Sequence, residues 1–397
     1  MTVADAFSHR DKCAIVGVGA TDFSRNSERS DLTLATQAAL AAIEDAGLEP
    51  QDIDGIVRCE SDTVLHSALA DSLGIPDLTF WSAVGPGGVA PAAMIGHAVG
   101  AILSGQATAV LAFRELNGRS GRRYGQSAVT DAQVGGAGTY DEFFAPYGLL
   151  TPGQTFALMA QRHMAEFGTT PEEIGHIALA CRARANANPR AQMHDRTLSM
   201  DEYLDARTIA SPLRLYDFCL ETDGACAVIV TSTERAKDLR QPPAVIRAVA
   251  HGSVRNPQPG IQAPVLMRES ITELPAKTAA KTLYQRAGLG PDDIDVAQIY
   301  DCFTITVLLQ LEDWGFCKKG EGGQFCASGE IDLGGRLPIN TGGGHLSEGY
   351  IHGMNHVVEG VRQIRGTSTS QVPNAETCLV TSTPLPPGSA LILRRAA

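Results

Sequence analysis

Apolar residues along this chain gather in short runs, separated by longer stretches in which apolar positions recur at helical spacing. Residues 13 to 19, Cys-Ala-Ile-Val-Gly-Val-Gly, form a β-branched apolar run ending in glycine, which predicts a buried strand that runs into a turn. Asp31 opens a stretch through Ala46 with apolar residues near a helical period, and Gly47 lies just past its end. That pattern predicts a helix with a glycine stop. Asp54-Gly-Ile-Val then starts the next strand. The most apolar region, Gly87 to Phe113, is interrupted by His97, Gln106 and several glycines. It is predicted as a buried helix leading into a strand, and no membrane span is expected.

The arrangement returns later. Ala46-Gly-Leu-Glu-Pro50-Gln-Asp52-Ile-Asp54 is matched by Ala287-Gly-Leu-Gly-Pro291-Asp-Asp293-Ile-Asp295, and each follows an alanine-rich helical stretch and precedes a strand. The offset of 241 residues, from Gly47 to Gly288, far exceeds the roughly 20 to 50 residues of a solenoid repeat. Two similar half-molecules are implied. Between them lies a polar, glycine-rich insertion, about 117–207, beginning Asn-Gly-Arg-Ser-Gly-Arg-Arg-Tyr-Gly. It carries a predicted helix near Gln154 to Phe167 and a helix start at Thr169-Thr170-Pro171-Glu172-Glu173, where proline suits the first turn. The strand Thr222-Asp-Gly-Ala-Cys-Ala-Val-Ile-Val resumes the first half. Gln241-Pro-Pro and an extended stretch through Pro264 lead into the second, giving domains at 1–260 and 261–397.

At 397 residues, with 44% hydrophobic and 19% charged positions, the chain has the composition of an ordinary globular protein of two or three units. A net charge of −12 argues against a nucleic-acid partner, whose binding is driven by lysine and arginine. No basic segment followed by an apolar run opens the chain, so a cytoplasmic protein is expected. The nine cysteines include no Cys-x-x-Cys pair. Neither Cys219/Cys226 nor Cys317/Cys326 has the spacing of a common zinc site, so reduced, mostly buried thiols and no metal are expected.

The densest chemistry lies in Asn340-Thr-Gly-Gly-Gly-His-Leu-Ser-Glu-Gly-Tyr-Ile-His-Gly-Met-Asn-His356. Its glycines let a backbone approach a ligand closely, and His345, Tyr350, His352 and His356 can move protons. The stretch resembles the C-terminal active-site loop of the thiolase superfamily, Gly-Gly followed by Gly-His-Pro-x-Gly. Here Gly349-Tyr350-Ile351-His352-Gly353 puts tyrosine where thiolases place a catalytic histidine. Tyr300-Asp301-Cys302-Phe303 is similar to the His-Asp-Cys-Phe of sterol-carrier-type thiolases, again with tyrosine for histidine. The segment that holds the nucleophilic cysteine in thiolases corresponds to Trp81-Ser-Ala-Val-Gly85-Pro-Gly-Gly-Val-Ala90, which places that position on Gly85. No cysteine lies between Cys59 and Cys181. Covalent acyl transfer therefore has no nucleophile there. Cys302 matches a cysteine that the sterol-carrier-type family carries beside its usual nucleophile.

The whole pattern resembles the thiolase-like steroid side-chain aldolases, often labelled lipid-transfer proteins. That resemblance implies an α/β thiolase fold, with two duplicated halves in a layered αβαβα sandwich and an inserted loop domain. It implies retro-aldol cleavage of a 17-hydroxy-steroid-20-carboxyl-CoA to a 17-ketosteroid and propionyl-CoA, with no cofactor beyond the CoA of the substrate. Tyr350 is expected as base and Tyr300 as acid, the reverse assignment standing open. Substrate contacts are expected from Gly85, Gly343, Gly344, His345 and His352. The two histidines serve either as spare bases or orienting groups, or as partners of loop backbone groups; His356 is read as structural. A homodimer joined by a separate OB-fold protein, as a heterotetramer, is also implied. Three other functions stand beside this one: release of acetyl-CoA from a bile-acid side chain, a true thiolase or acyltransferase, and a non-catalytic acyl-CoA or sterol-binding scaffold.

Overall fold

The computed structural model describes residues 9–85, 87–121, 143–255 and 263–396. The first residues of the chain, the 122–142 part of the insertion and the boundary at 260 lie outside them. The first half runs β1 (Cys13–Ala20), α1 (Asp31–Ala46), β2 (Gly55–Cys59), α2 (His66–Leu73), β3 (Phe80–Val84), α3 (Pro91–Leu103) and β4 (Ala109–Asn117). Next come α4 (Pro152–Phe167), α5 (Pro171–Ala187), α6 (Met200–Asp205), β5 (Thr208–Ala210), β6 (Leu213–Arg214), β7 (Asp223–Ser232) and α7 (Thr233–Ala236). The second half is β8 (Ala244–Gly252), α8 (Ala263–Leu266), α9 (Ala276–Ala287), β9 (Val296–Gln298), α10 (Thr304–Asp313), α11 (Gly322–Ala327), α12 (Gly344–Ser347), α13 (Met354–Arg365), β10 (Thr377–Ser382) and β11 (Gly388–Arg395).

The predicted elements fall where the pattern put them, with one local exception. The stretch expected to be extended through Pro264 is strand β8 over Ala244–Gly252 and ends in a helical turn, α8, with 256–262 outside the described residues. Proline is well placed there, because the early positions of a helix have no intrahelical acceptor for the amide it lacks. The internal repeat is visible in detail. Gly47 caps α1 at φ +72° and Gly288 caps α9 at φ +67°, a left-handed conformation that glycine adopts without steric cost. Each cap is followed by a 3-10 turn, Pro50–Asp52 or Pro291–Asp293, and then by a strand, β2 or β9.

Among the described residues, nine strands form one sheet in the order β3-β2-β4-β7-β1-β8-β11-β10-β9. The order reads alike from both sides of its centre. β1 lies antiparallel to β7 as β8 does to β11, and β2 lies parallel to β4 as β9 does to β10. Among the described residues the strands of the two halves pair through Ala14↔Val245 and Ile15↔Ala244. Among the described residues, alternation along the strands divides the interior of the sheet layers into three large cores. Ala14 and Val16 of β1 face α1 in one, whereas Cys13 and Ile15 face the central core with Met94 of α3 and Val357 of α13. Across the bridge, Leu391 and Leu393 of β11 join that central core, and Ala390 and Ile392 face α9 and α10 in the third. Helices α3 and α13 each pack on strands of both halves. The layers are therefore αβαβα. No described helix is long and apolar enough to cross a membrane.

Candidate active site

Tyr300 follows β9 and is fixed through its backbone. Its N–H donates to Thr381 Oγ1 at 2.9 Å, and its carbonyl accepts from Gln310 Nε2 at 2.7 Å and Thr306 Oγ1 at 3.1 Å. Those partners are buried on β10 and α10, so the ring has one direction left, inward toward α3. Tyr350 leaves the loop after α12 with its N–H on Thr222 Oγ1 at 2.8 Å. The two phenols meet at 2.9 Å, oxygen to oxygen. Burial, then the neighbouring Tyr350, raises Tyr300 well above the usual phenol range. It therefore keeps its proton at neutral pH.

Asp301 ties this pair together. Its buried carboxylate accepts the N–H of His345 at 2.9 Å and of Leu346 at 3.2 Å, at the start of α12. It also lies 2.9 Å from His356 Nε2, which fits the structural role expected of His356. Burial alone would raise this carboxylate, but His345, His356 and the loop amides outweigh it and hold Asp301 below its ordinary value. Asp301, His345 and His356 are close enough to share a cation. The carboxylate oxygen that would bind it already serves both His345 N–H and His356, so the geometry is that of a hydrogen-bonded hub.

His345 is fully buried between the tyrosines, its ring 4.6 Å from that of Tyr300 and 4.9 Å from that of Tyr350. Its Nδ1 lies 3.1 Å from Asp301 Oδ1. Burial, reinforced by His356, lowers His345 to about 3, so the imidazole is neutral. His352 stands perpendicular to Tyr350 at 4.9 Å and receives Arg114 on Nδ1. Both histidines are thus part of the site.

The glycines divide. A Cβ at Gly85 would overlap the Glu60 carboxylate and not the tyrosines, which corrects the placing of the vacated nucleophile position. A Cβ at Gly88 would overlap the Tyr300 hydroxyl. Gly88, three residues on at the approach to α3, is the position that faces the pair, and the slip arose because a glycine-rich run aligns equally well in several registers. Gly343, at φ +112°, spends its N–H on Asn340 O at 2.9 Å, and Gly344, at φ +63°, leaves space for Asp301. They shape the turn that presents Tyr350. No local pattern pointed to Arg114, Asp62 or Glu348, which are buried beneath the site.

Glu348 lies two residues before Tyr350, its carboxylate accepting from Asn188 and Asn355, each at 3.2 Å. Burial, then Glu359, raises it to about 7, with Arg362 and Arg190 opposing. A carboxyl raised in the folded state lends stability that is full below its unfolded pKa and lost as pH rises through about 7. Glu348→Gln is expected to remove that decline, giving a variant more stable than the parent by roughly 2–3 kcal/mol at pH 8 and little different at pH 5. Urea titrations at both pH values measure it; parallel pH dependence in the two proteins would refute it.

Residues 13–234 match the thiolase N-terminal domain family, and residues 262–390 match the thiolase C-terminal domain-like family. The chain belongs to the thiolase family. Among its relatives, a 17-hydroxy-3-oxo-4-pregnene-20-carboxyl-CoA lyase of Mycobacterium tuberculosis is 44% identical over 96% of this chain and 99% of its own length. A steroid side-chain-cleaving aldolase of Thermomonospora curvata is likewise 44% identical, over 96% of this chain and 97% of that protein. In structure, the chain is similar to the Ltp2-ChsH2(DUF35) aldolase, with a TM-score of 0.90 and 43% identity over 97% of this chain and 98% of the other.

Proposed function

We propose that this chain is a carbon-carbon lyase that cleaves a 17-hydroxy-steroid-20-carboxyl-CoA thioester by retro-aldol reaction, releasing a 17-ketosteroid and propionyl-CoA. The observation that carries the reading is the phenol pair at 2.9 Å, set where Gly88 leaves no side chain for a nucleophile. The identity to two aldolases over nearly the whole chain supports the substrate class.

The base takes the proton of the tertiary hydroxyl. Its oxygen electrons form the ketone, the bond to the α-carbon breaks, and that pair becomes the enolate of propionyl-CoA. The acid then protonates the enolate carbon. Tyr300, buried and holding its proton, suits the acid. Tyr350, half-buried, is assigned as base. The bond changes balance without an oxidant or reductant, so no cofactor beyond the substrate's CoA is required. A thiolase reaction is disfavoured because burial, followed by the other charges nearby, raises both Cys219 and Cys302, the thiols beside the Tyr300 segment.

We further assign a homodimer that works with a separate OB-fold protein in a heterotetramer, in the cytoplasm. The name of the similar aldolase pairs its thiolase-like chain with a DUF35 component. In this chain β3 ends the sheet with an open edge, and Trp81 on it is 57% exposed and stacked on His66. Such an edge suits pairing with a second copy.

Incubation with the 17-hydroxy steroid-CoA, with and without the OB-fold partner, is expected to give propionyl-CoA and the 17-ketosteroid in equal amounts by mass spectrometry. Release of acetyl-CoA from a longer side chain instead would move the reading to a bile-acid substrate. Binding without any cleavage would leave a scaffold.

A further inference from the structure

Arg114 crosses from β4 of the first half to the catalytic loop of the second. It is fully buried, and its Nη1 pairs with Asp62 and donates to Glu115 O at 2.6 Å. Asp62 is itself held by the N–H of Cys59 at 2.7 Å. The other edge of the guanidinium reaches His352 Nδ1, at 3.2 Å from Nε and 2.8 Å from Nη2. A guanidinium can only donate. Nδ1 must therefore accept, and the proton of the neutral imidazole sits on Nε2. Burial, then the Arg114 charge, lowers His352 well below the ordinary imidazole range, so it stays neutral under working conditions. With Nδ1 taken by Arg114 and the proton on Nε2, neither ring nitrogen is left to accept a proton from Tyr350.

The ring is aimed by the backbone. His352 has φ +50° and precedes Gly353 at φ +92°, a turn that few residues other than glycine adopt without strain. A Cβ at Gly87 would sit 3.4 Å from His352 Cε1, 3.7 Å from Nδ1 and 3.8 Å from Nε2, while one at Gly88 would meet the Tyr300 hydroxyl. His352 and Tyr300 thus border adjacent glycines at the approach to α3, and with Nδ1 taken by Arg114 the nitrogen of His352 left for a ligand there is Nε2. An oxygen gathering charge there needs a donor that does not surrender its proton.

We propose that His352 donates its Nε2–H to the thioester oxygen of the bound acyl-CoA as that oxygen becomes an enolate, and that Arg114, anchored on Asp62, is the positioning residue that fixes this tautomer. The role rests on the aldolase reading above. It differs from that reading in needing no proton transfer through His352.

Asparagine separates the two ends of the ring. The His352→Asn variant keeps an acceptor for Arg114 at the δ position and tolerates positive φ, but has nothing at the ε position. It is expected to fold normally and to lose about 10²- to 10³-fold in kcat with KM little changed. His352→Gln, which returns an N–H to the ε position, is expected to recover part of that loss. In the wild-type protein labelled with ¹⁵N-histidine, two-bond ¹⁵N–¹H spectra are expected to show His352 protonated at Nε2. In Arg114→Gln combined with Asp62→Asn, which removes the Asp62 charge together with the guanidinium and leaves Glu115 on the amides of Thr63 and Val64, the His352 titration is expected to move up and add an acidic limb to the kcat profile. A wild-type kcat in His352→Asn, or a proton on Nδ1 in the native spectrum, would overturn the role while leaving the aldolase intact. Failure of the wild-type protein to release propionyl-CoA would overturn the aldolase reading and the role with it.

Discussion

Tyr300→Phe and Tyr350→Phe are each expected to lower cleavage of the steroid-CoA by about 10²- to 10⁴-fold while leaving the protein folded. Phenylalanine keeps the rings packed on His345 and removes only the hydroxyls that meet at 2.9 Å. The lost hydrogen bond should cost about 1 kcal/mol of stability, too little to unfold a protein of this size. The two variants should differ in a second assay. Protonation of the enolate carbon, run backwards, exchanges an α-hydrogen of propionyl-CoA with solvent. In D₂O, Tyr350→Phe is expected to retain this exchange and Tyr300→Phe to lose it, because Tyr300 is the group assigned to that carbon. The opposite result would exchange the two roles. Full cleavage in both variants would remove the pair from the mechanism.

Gly88→Ala should be nearly as damaging, although it adds a single methyl group. Its Cβ would overlap the Tyr300 hydroxyl, and Tyr300 has no room to retreat, because its backbone is held by Thr381, Thr306 and Gln310. Either the ring turns away from Tyr350 or the segment before α3 shifts; both separate the phenols. An activity loss like that of Tyr300→Phe is expected, with about 1–3 kcal/mol of overpacking cost. In a Tyr300→Ala background, where the obstructing ring is gone, the same substitution should cost much less. A double-mutant cycle on thermal stability reads that coupling. Additive costs would show that Gly88 and Tyr300 do not compete for space.

The halves of this fold were legible because the repeat at Gly47 and Gly288 rests on local chemistry: a helix stop, a proline turn and a strand. The tyrosines were legible because each lies within a short, distinctive motif. Gly85 was misplaced because the run through Gly88 carries several glycines and little else, and only the packing tells which of them faces Tyr300. Arg114 lies in the strand Ala-Val-Leu-Ala-Phe-Arg-Glu-Leu, where an arginine and a glutamate look like solvent-facing positions at a strand's end. Their burial is decided by Asp62 and by His352, 238 residues away. Long-range pairing of that kind leaves no local pattern. The use of Asp301 as a hub was hidden for the same reason, since its partners lie 44 to 55 residues further on.

That hub bears on any attempt to move this chemistry to another scaffold. Tyr300 and Tyr350 are 50 residues apart, but one carboxylate immediately after the first holds the start of the helix that leads to the second. In a related chain without an aspartate after the first of the two positions, exchanging histidines for tyrosines would import the phenols without the device that sets their spacing. The transplantable unit is the segment 300–301 together with 340–356, with a glycine opposite at 88, and a graft lacking any of these should bring tyrosines but not a matched pair.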